Sequence, residues 1–320
     1  MHAGDSGIAV ADVQSRLAAL GIDSGDPPGV FGPSTEKAVR DLQNQRGLHV
    51  DGICGHETWS ALVEAGYKLG DRYLYRRTPM LRGDDVAELQ RRLSALGFDT
   101  GRVDGIFGDL TMAALAEFQQ NAGLPSDGIL GQETLVALVR LTPRHEVSEL
   151  VSTVRDRERL RNAPRSLADR RLALGEGGGL DVITAAVQRG LGGTGATVVR
   201  LHHPDGSRLA AAANATRADV FVGFLVDPAR TSCTTAFYGG YRYESTGGRR
   251  LAELLQERVP ATLGLADGGT RRMTLPVLRE TRMPAVVVEM GAPARVTERV
   301  ALLARSVAEA LRTWAVTTWD

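Results

Sequence analysis

Asp104-Gly105-Ile106-Phe107-Gly108 and Asp127-Gly128-Ile129-Leu130-Gly131 are two versions of one turn, and each leads to a threonine, Thr111 or Thr134. Asp-Gly favours a tight turn because glycine adopts positive φ without a steric penalty. The apolar residue that follows is suited to burial, and the last glycine precedes a helix start. The pattern predicts short helices joined by turns of defined shape.

The block that carries these turns occurs twice. Residues 14–62 realign on residues 90–138 at one constant offset and without a gap. Apolar residues recur at helical spacing in three segments of each copy, which predicts three short helices per module. Tandem copies of a small module are typical of proteins that bind a repeated ligand, because the second engaged module adds avidity. Identical pairs include Gln14/Gln90, Phe31/Phe107, Gln43/Gln119, Asp51/Asp127 and Gly52/Gly128.

The repeat resembles the peptidoglycan-binding domain found beside many bacterial cell-wall hydrolases, whose turns read Asp-Gly-x-Phe-Gly and Asp-Gly-x-x-Gly-x-x-Thr. The likeness covers residues 7–66 and 83–141 and implies modules that bind peptidoglycan fragments or precursors. The first copy departs from the pattern at Pro28, where the second has Asp104. Alternatively, the glycines only shape the fold, since turn residues report the fold more directly than the ligand. The candidate ligand-binding residues are Phe31, Gly32, Asp51, Gly52, Asp104, Phe107, Gly108, Asp127 and Gly128.

The second half of the chain shows a different pattern, in which strand-like and helix-like segments alternate. This alternation predicts an α/β domain with a mostly parallel sheet flanked by helices, after two small all-α three-helix modules. Ligands of such sheets bind at the carboxyl ends of the strands. Strands are predicted at Arg171–Leu174, Ala196–Leu201, Asp219–Val226, Thr234–Tyr238 and Ala285–Glu289, and helices at Val182–Leu191, Ser207–Thr216, Arg249–Glu257 and Arg295–Trp314.

Two segments of this domain, residues 210–223 with Asn214 and Asp219, and residues 281–291 with Pro284 and Glu289, resemble the zinc-dependent N-acetylmuramoyl-L-alanine amidases. The likeness spans residues 170–314. Amidase chemistry of this type needs a cation held by three protein ligands, with one open position for water. The resemblance implies that Glu289 occupies the position of the catalytic general acid/base.

The expected zinc ligands are missing from the amidase-like domain. Gly177 and Leu225 stand where the family places histidines, and the third ligand, a glutamate, has no counterpart. A lone carboxylate without a metal-bound water has nothing to deprotonate. We therefore expect no cofactor, a domain without a metal site, and a vestigial role for Glu289.

Other candidate sites are weaker. His202 and His203 are adjacent, and adjacent residues on a strand point to opposite faces, so this pair predicts a surface turn through Asp205 rather than a metal site. Cys54 and Cys233 show no paired spacing, which argues against a disulfide framework or a zinc knuckle. No histidine base for Cys233 is identifiable from the sequence, which argues against nucleophilic catalysis.

Charge and hydropathy exclude several classes of protein. The 38 basic and 38 acidic residues cancel, which argues against nucleic-acid binding. No segment reaches the roughly 20 apolar residues that a membrane span needs. Residues 1–10 lack the features of a secretory signal, so we expect a cytoplasmic location, with membrane association only through a partner. The predicted domains are modules at 1–66 and 83–141, a packed connector at 67–82, a linker with one helical turn at 142–169, and the amidase-like domain at 170–320.

Three functions remain open. The leading hypothesis is a non-catalytic regulator of cell-wall synthesis that binds peptidoglycan precursors, or a synthesis enzyme or transporter, because the domain order resembles that of the amidase-like regulators of actinobacteria. The alternative is an active zinc amidase that hydrolyses peptidoglycan. A third hypothesis is a scaffold whose modules bind other proteins through the same grooves.

Overall fold

The computed structural model describes residues 1–142, 151–240 and 243–319. The chain divides into two compact units, the first covering residues 1–156 and the second most of residues 157–320. Within the described residues, no helix combines the length and the apolar character that crossing a bilayer requires.

The first module contains the three predicted helices, α1 (Ile8–Ala19), α2 (Pro33–Arg46) and α3 (His56–Ala65). Helix α2 begins at Pro33, whose fixed φ suits the first helical position, and ends at Gly47, whose φ of 64° closes the helix in the left-handed conformation. The buried side chains of this module include Val13, Leu17, Phe31, Val39, Leu42 and Leu62.

The second module repeats this arrangement with α4 (Asp84–Ala95), α5 (Asp109–Asn121) and α6 (Gln132–Leu141). The connector before it packs onto the module, as expected from its aromatic and charged composition. Leu74 is fully buried and exchanges backbone hydrogen bonds with Leu130, and the Phe107 N–H donates to the carbonyl of Leu81. The core of this module includes Val86, Leu89, Leu93, Phe107, Leu115 and Phe118.

The linker contains more helix than the sequence predicted. Helix α7 (Val151–Asn162) is 12 residues long, whereas one helical turn was expected, and residues 143–150 lie outside the described part of the chain. Arginine and glutamate are good helix formers, but α7 lacks the apolar periodicity by which a helix is recognised.

The second unit is a six-stranded sheet with helices, in the order β2-β1-β3-β6-β4-β5. The contacts between strands are parallel except that β4 runs antiparallel to β6, which confirms the predicted mostly parallel sheet. Its elements are β1 (Arg171–Glu176), α8 (Asp181–Gly190), β2 (Thr197–His202), α9 (Gly206–Ala215), β3 (Val220–Val226), β4 (Ser232–Tyr238), α10 (Thr246–Gln256), α11 (Val259–Leu263), β5 (Ala266–Met273), α12 (Pro276–Glu280), β6 (Ala285–Met290), α13 (Pro293–Glu298) and α14 (Val300–Ala315).

The core of the second unit lies between the sheet and helices α8, α10 and α14. Strand β6 is buried along its whole length, which explains its uninterrupted apolar run Ala285–Val288. Trp314 of α14 is 1% exposed and donates its indole N–H to the carbonyl of Gly247 at 2.9 Å. Val187 and Leu251 are fully buried in the same core.

Two sequence predictions for this unit need correction. Strand β5 was not predicted, because it is an edge strand with mostly exposed polar residues and two glycines, and so lacks an apolar run. The predicted helix 295–314 is two helices, α13 and α14, with a break at Arg299, whose φ of −108° departs from helical geometry. Val296, Val300 and Leu303 keep helical spacing across the break, so periodicity alone did not show it.

Candidate functional site

Each turn of the second module is organised around a buried glutamine. Gln119 is 1% exposed, and its side-chain oxygen accepts the N–H of Gly128 at 2.8 Å. Its Nε2 donates to Asp127 Oδ1 at 2.8 Å and to Thr134 Oγ1 at 3.1 Å. The N–H of Ile129 in turn donates to Asp127 Oδ1 at 2.9 Å. The hydrogen bond from the Ile129 N–H, and after it the one from Gln119, lowers the pKa of the Asp127 carboxyl. The aspartate and the threonine of the motif are therefore engaged in holding the turn.

The same arrangement recurs at two other turns. Gln43 has the same separations from its aspartate and threonine, 8 and 15 residues, as Gln119, whereas Gln90 bonds to an aspartate 14 and a threonine 21 residues further along the chain. These hydrogen bonds explain why the repeated glutamines are buried even though an amide is costly to bury without partners. The groups are Gln43 with Asp51 and Thr58, and Gln90 with Asp104 and Thr111.

In the first turn of the first module, Pro28 stands where the second module has Asp104, so the glutamine has no aspartate partner at that position. Gln14 accepts the N–H of Gly29 at 2.7 Å and donates to Thr35 Oγ1 at 3.1 Å. Asp26 accepts the N–H of Thr35 at 2.6 Å, and this bond lowers the pKa of the Asp26 carboxyl. The turn thus keeps the hydrogen bonds of its glutamine, and Asp26 supplies a carboxylate from a different position.

The residues predicted to bind ligand in the modules form the turns themselves. Phe31 and Phe107 are 1% and 0% exposed, so their rings belong to the cores. The glycines supply turn geometry, with φ of 77° at Gly52 and 68° at Gly128. Gly32 and Gly108 are the residues before helices α2 and α5. Asp51, Asp104 and Asp127 accept the hydrogen bonds described above.

Exposed apolar side chains lie next to these turns in the second module. Tyr73 is 64% exposed, and its ring lies against Gly131, where a Cβ would come within 3.1 Å of it. Met112 is 36% exposed and lies in the same way against Gly128. Sequence reasoning missed both, because Tyr73 belongs to the connector and Met112 falls on a helix face that the repeat does not conserve.

In the second unit, Glu289 lies at the carboxyl end of β6, beside the ends of two neighbouring strands. The sheet register pairs Glu289 with Leu225 of β3 and, on the other side, with Thr234 of β4. Glu176, at the end of β1, pairs with Phe224 of β3. The residues that the amidase resemblance singled out therefore meet at one edge of the sheet, where α/β sheets ordinarily bind ligands.

The carboxylate of Glu289 is buried and paired with an arginine. Its side chain is 1% exposed, and Arg230 Nη1 lies 3.0 Å from Glu289 Oε2. Arg230 comes from the loop between β3 and β4, and its Nε also donates to Asp227 Oδ2 at 3.2 Å. A guanidinium thus supplies positive charge beside a carboxylate that family resemblance places at the catalytic position.

The donor set at this edge does not fit zinc. Leu225 is 38% exposed at the end of β3, and Gly177 follows β1 in open space, where an added Cβ would meet nothing within 4 Å. Neither residue carries a side-chain nitrogen, oxygen or sulfur, whereas zinc in proteins takes three or four such ligands. Within the described residues, no group of three or more histidine, cysteine, aspartate or glutamate side chains is placed to hold a metal ion.

A second carboxylate at this edge, Glu176, is held by its own loop. It is 4% exposed, and its Oε2 accepts the N–H groups of Gly178 at 2.7 Å and Leu180 at 3.0 Å. Its Oε1 lies 2.5 Å from Nδ1 of His202, at the end of β2. Burial raises the pKa of Glu176, but the hydrogen bonds from Leu180, His202 and Gly178 outweigh it and lower the pKa below its usual range.

The contact between Glu176 and His202 was not predicted. Only His203 forms the expected surface turn, in which its Nδ1 accepts the N–H of Asp205. His202 points instead to the neighbouring strand, because β1 and β2 each extend further than predicted and bring the two residues into register. The signal in the sequence was that both strands end in a polar residue at the same edge of a parallel sheet.

Family comparisons match both units. The peptidoglycan binding domain matches residues 6–62 and 82–138, and the N-acetylmuramoyl-L-alanine amidase family matches residues 182–314. A crystal structure of the N-acetylmuramyl-L-alanine amidase Ami1 from Mycobacterium smegmatis superimposes on 47% of this chain and 98% of its own, with a TM-score of 0.41 and 14% identity.

Two curated relatives extend the comparison. N-acetylmuramoyl-L-alanine amidase CwlL of Bacillus licheniformis is 33% identical over 43% of this chain and 44% of its own length. N-acetylmuramoyl-L-alanine amidase CwlM of Mycobacterium tuberculosis is 34% identical over 91% of this chain and 81% of its own length. Since this second match covers most of both chains, the chain belongs to the N-acetylmuramoyl-L-alanine amidase family, and it carries two peptidoglycan-binding domains before the amidase domain.

Proposed function

We propose that this protein is a non-catalytic member of the amidase family, which binds peptidoglycan fragments or precursors and regulates cell-wall synthesis in the cytoplasm. The observation that carries the proposal is the contact between Arg230 and Glu289. In a working zinc amidase the carboxylate must face a metal-bound water, because its task is to move protons to and from that water. Here the carboxylate faces a guanidinium, which has no proton to exchange at neutral pH.

The residues around Glu289 support the same conclusion. Leu225 and Gly177 offer no ligand atoms, and the side chain of His202 is already directed at Glu176. The recognition modules, by contrast, keep all four turns with their hydrogen bonds satisfied. Binding without hydrolysis is therefore the function that this arrangement favours. A partner among the enzymes or transporters of wall precursors would connect such binding to regulation.

The active amidase remains the competing function, and hydrolysis of purified sacculi tests it. The full chain is incubated with sacculi and added zinc, release of stem peptide is measured, and zinc is quantified in the re-purified protein. We expect no release above the protein-free blank and no stoichiometric zinc. Stoichiometric zinc together with release that Glu289→Gln abolishes would overturn the proposal.

Titration with soluble muropeptides separates precursor binding from a pure scaffold function. We expect saturable binding by the full chain, measured by isothermal calorimetry. Two variants on the exposed surface of α5 are compared. Met112→Glu, beside the turn, should lose binding. Glu117→Lys, elsewhere on α5, should keep it. Absence of muropeptide affinity in the wild-type chain would favour the scaffold and contradict the binding part of the proposal.

A further inference from the structure

Two adjoining clefts lie at the amino ends of β1 and β2, away from the strand ends that carry Glu176 and Glu289. Their cavity volumes are about 290 and 450 Å³. They meet at Arg165 and Ala315, which line both. One water needs roughly 10 to 15 Å³ of such volume, so this double cleft has room for a peptide segment of several residues.

Arginines define the charge of the double cleft. Arg161 comes from the last turn of α7, Arg165 from the segment between α7 and β1, and Arg312 from the last turn of α14. Among the described residues that line the cleft there is no aspartate or glutamate. Three positive charges therefore line the cleft, and the described lining residues include no carboxylate.

Among the described residues, two of these arginines bond to backbone carbonyls and none of the three pairs with a carboxylate. Arg161 Nε donates to the carbonyl of Trp319 at 2.6 Å, and Arg312 reaches the carbonyl of Gly190 at 3.5 Å. Within the part of the chain that the structure describes, Arg165 has neither an ion pair nor a side-chain hydrogen bond. The guanidinium groups therefore keep most of their donors available for a bidentate carboxylate, which Arg is well suited to bind.

Apolar groups accompany these charges. Val316 is 57% exposed on the wall of the larger cleft, and Trp319 lines the smaller one, where its ring packs edge-on against Trp314 at 6.0 Å. Aromatic and arginine side chains together are typical of the residues that dominate protein recognition surfaces. The cleft thus combines charge with apolar contact area.

We propose that the double cleft binds an acidic segment of a partner protein in extended conformation. The joined shape suits an extended chain, the three arginines suit its carboxylates, and Val316 and Trp319 suit an apolar side chain between them. The proposal goes beyond the proposed function, because it assigns a partner surface separate from both the module turns and the strand ends. It stands or falls independently of whether Glu289 is catalytic.

A fluorescein-labelled octaglutamate peptide is the probe, and its anisotropy is followed on titration with the full chain. We expect saturable binding that weakens when salt is raised from roughly 50 mM to roughly 300 mM, because the contacts are ionic and partly exposed. Arg165→Glu and Arg312→Glu should each raise the Kd about tenfold, since a like charge then faces the ligand. The matched control is Arg271→Glu, an exposed arginine of β5 outside the cleft, which should leave the Kd unchanged.

Further measurements keep the test decisive. Circular dichroism spectra of the three variants should match the wild type. The fluorescence of Trp319 should change on peptide binding. It is read in a Trp59→Phe and Trp314→Phe background that keeps its fold. Absence of saturable binding, or equal loss in Arg271→Glu, would overturn the proposal. Displacement of the peptide by an equal concentration of inorganic pyrophosphate would also overturn it, since the cleft would then be a phosphate site.

Discussion

Arg230 and Glu289 form an ion pair of 3.0 Å at the carboxyl end of β6. The glutamate is almost fully buried and the arginine is 24% exposed, so the pair is largely shielded from solvent. Removing one partner of a buried pair leaves an uncompensated charge, whereas replacing both with apolar residues is often close to neutral. The contributions of Arg230 and Glu289 to stability are therefore expected to depend on each other.

This dependence predicts the outcome of a double-mutant cycle. Arg230→Met should lower the free energy of unfolding by about 3 kcal/mol, because it leaves the buried carboxylate of Glu289 without its positively charged partner. Adding Glu289→Met should restore part of that loss. The measurement is urea unfolding of the full chain, followed by tryptophan fluorescence in a Trp59→Phe background.

The control for this cycle is Arg271→Met, at an exposed arginine of β5, which should change stability by less than about 0.5 kcal/mol. A loss in the double variant equal to the sum of the losses in Arg230→Met and Glu289→Met would show that the two side chains are not coupled.

Glu176 predicts a pH dependence of stability. The pKa of Glu176 is lower in the folded than in the unfolded protein. Its hydrogen bonds therefore stabilise the fold fully at pH values above the unfolded carboxyl pKa of about 4.3. That stabilisation is lost as the pH falls through the folded-state pKa. Glu176→Gln should therefore destabilise the protein at neutral pH, and its difference from wild type should shrink on acidification. Urea midpoints between neutral and acidic pH check this.

An exposed carboxylate provides the comparison for Glu176. Glu309→Gln on α14 should leave the urea midpoints unchanged across the same range. A difference between wild type and Glu176→Gln that stays constant down to acidic pH would contradict the assigned role of the carboxylate.

Neighbouring glutamines on α5 test the turn architecture. Gln119 is 1% exposed and holds the turn, whereas Gln120 faces solvent. Gln119→Ala should cost about 2 to 3 kcal/mol, because it leaves the N–H of Gly128 and the carboxylate of Asp127 without their buried partner. Gln120→Ala should be close to neutral. Hydrogen exchange of a peptide covering residues 124–131 should accelerate only in the first variant, and similar exchange in both would contradict the role of Gln119.

Periodicity and turn chemistry were sufficient to predict the modules and the mostly parallel sheet, because both depend on local patterns. The sequence repeat even pointed to the important glutamines, although not to their hydrogen bonds. Arg230 could not be predicted, since it lies in a loop without periodicity and meets Glu289 only through the sheet topology. To predict the contact of Glu176 with His202, the ends of β1 and β2 would have to be known to within two residues. Strand propensity does not locate strand ends that closely.

The two thiols provide the last prediction. Burial raises the pKa of Cys233 to about 12, with Asp267 and Glu289 adding to the effect, and burial also raises the pKa of Cys54. Because the thiolate is the reactive form, only roughly one Cys233 thiol in ten thousand is ionised at a pH of about 8. Ellman's reagent should therefore modify the native chain very slowly and titrate both cysteines after unfolding in guanidinium.

A Cys54→Ser variant assigns the remaining signal to Cys233. Its native reaction should be slower by orders of magnitude than its reaction in guanidinium, because β4 must open before the reagent reaches the sulfur. Rapid native labelling would mean that Cys233 is both accessible and ionised. A nucleophilic route through this cysteine, next to Thr234 and the Glu289 pair, would then compete with the non-catalytic function proposed for the strand ends.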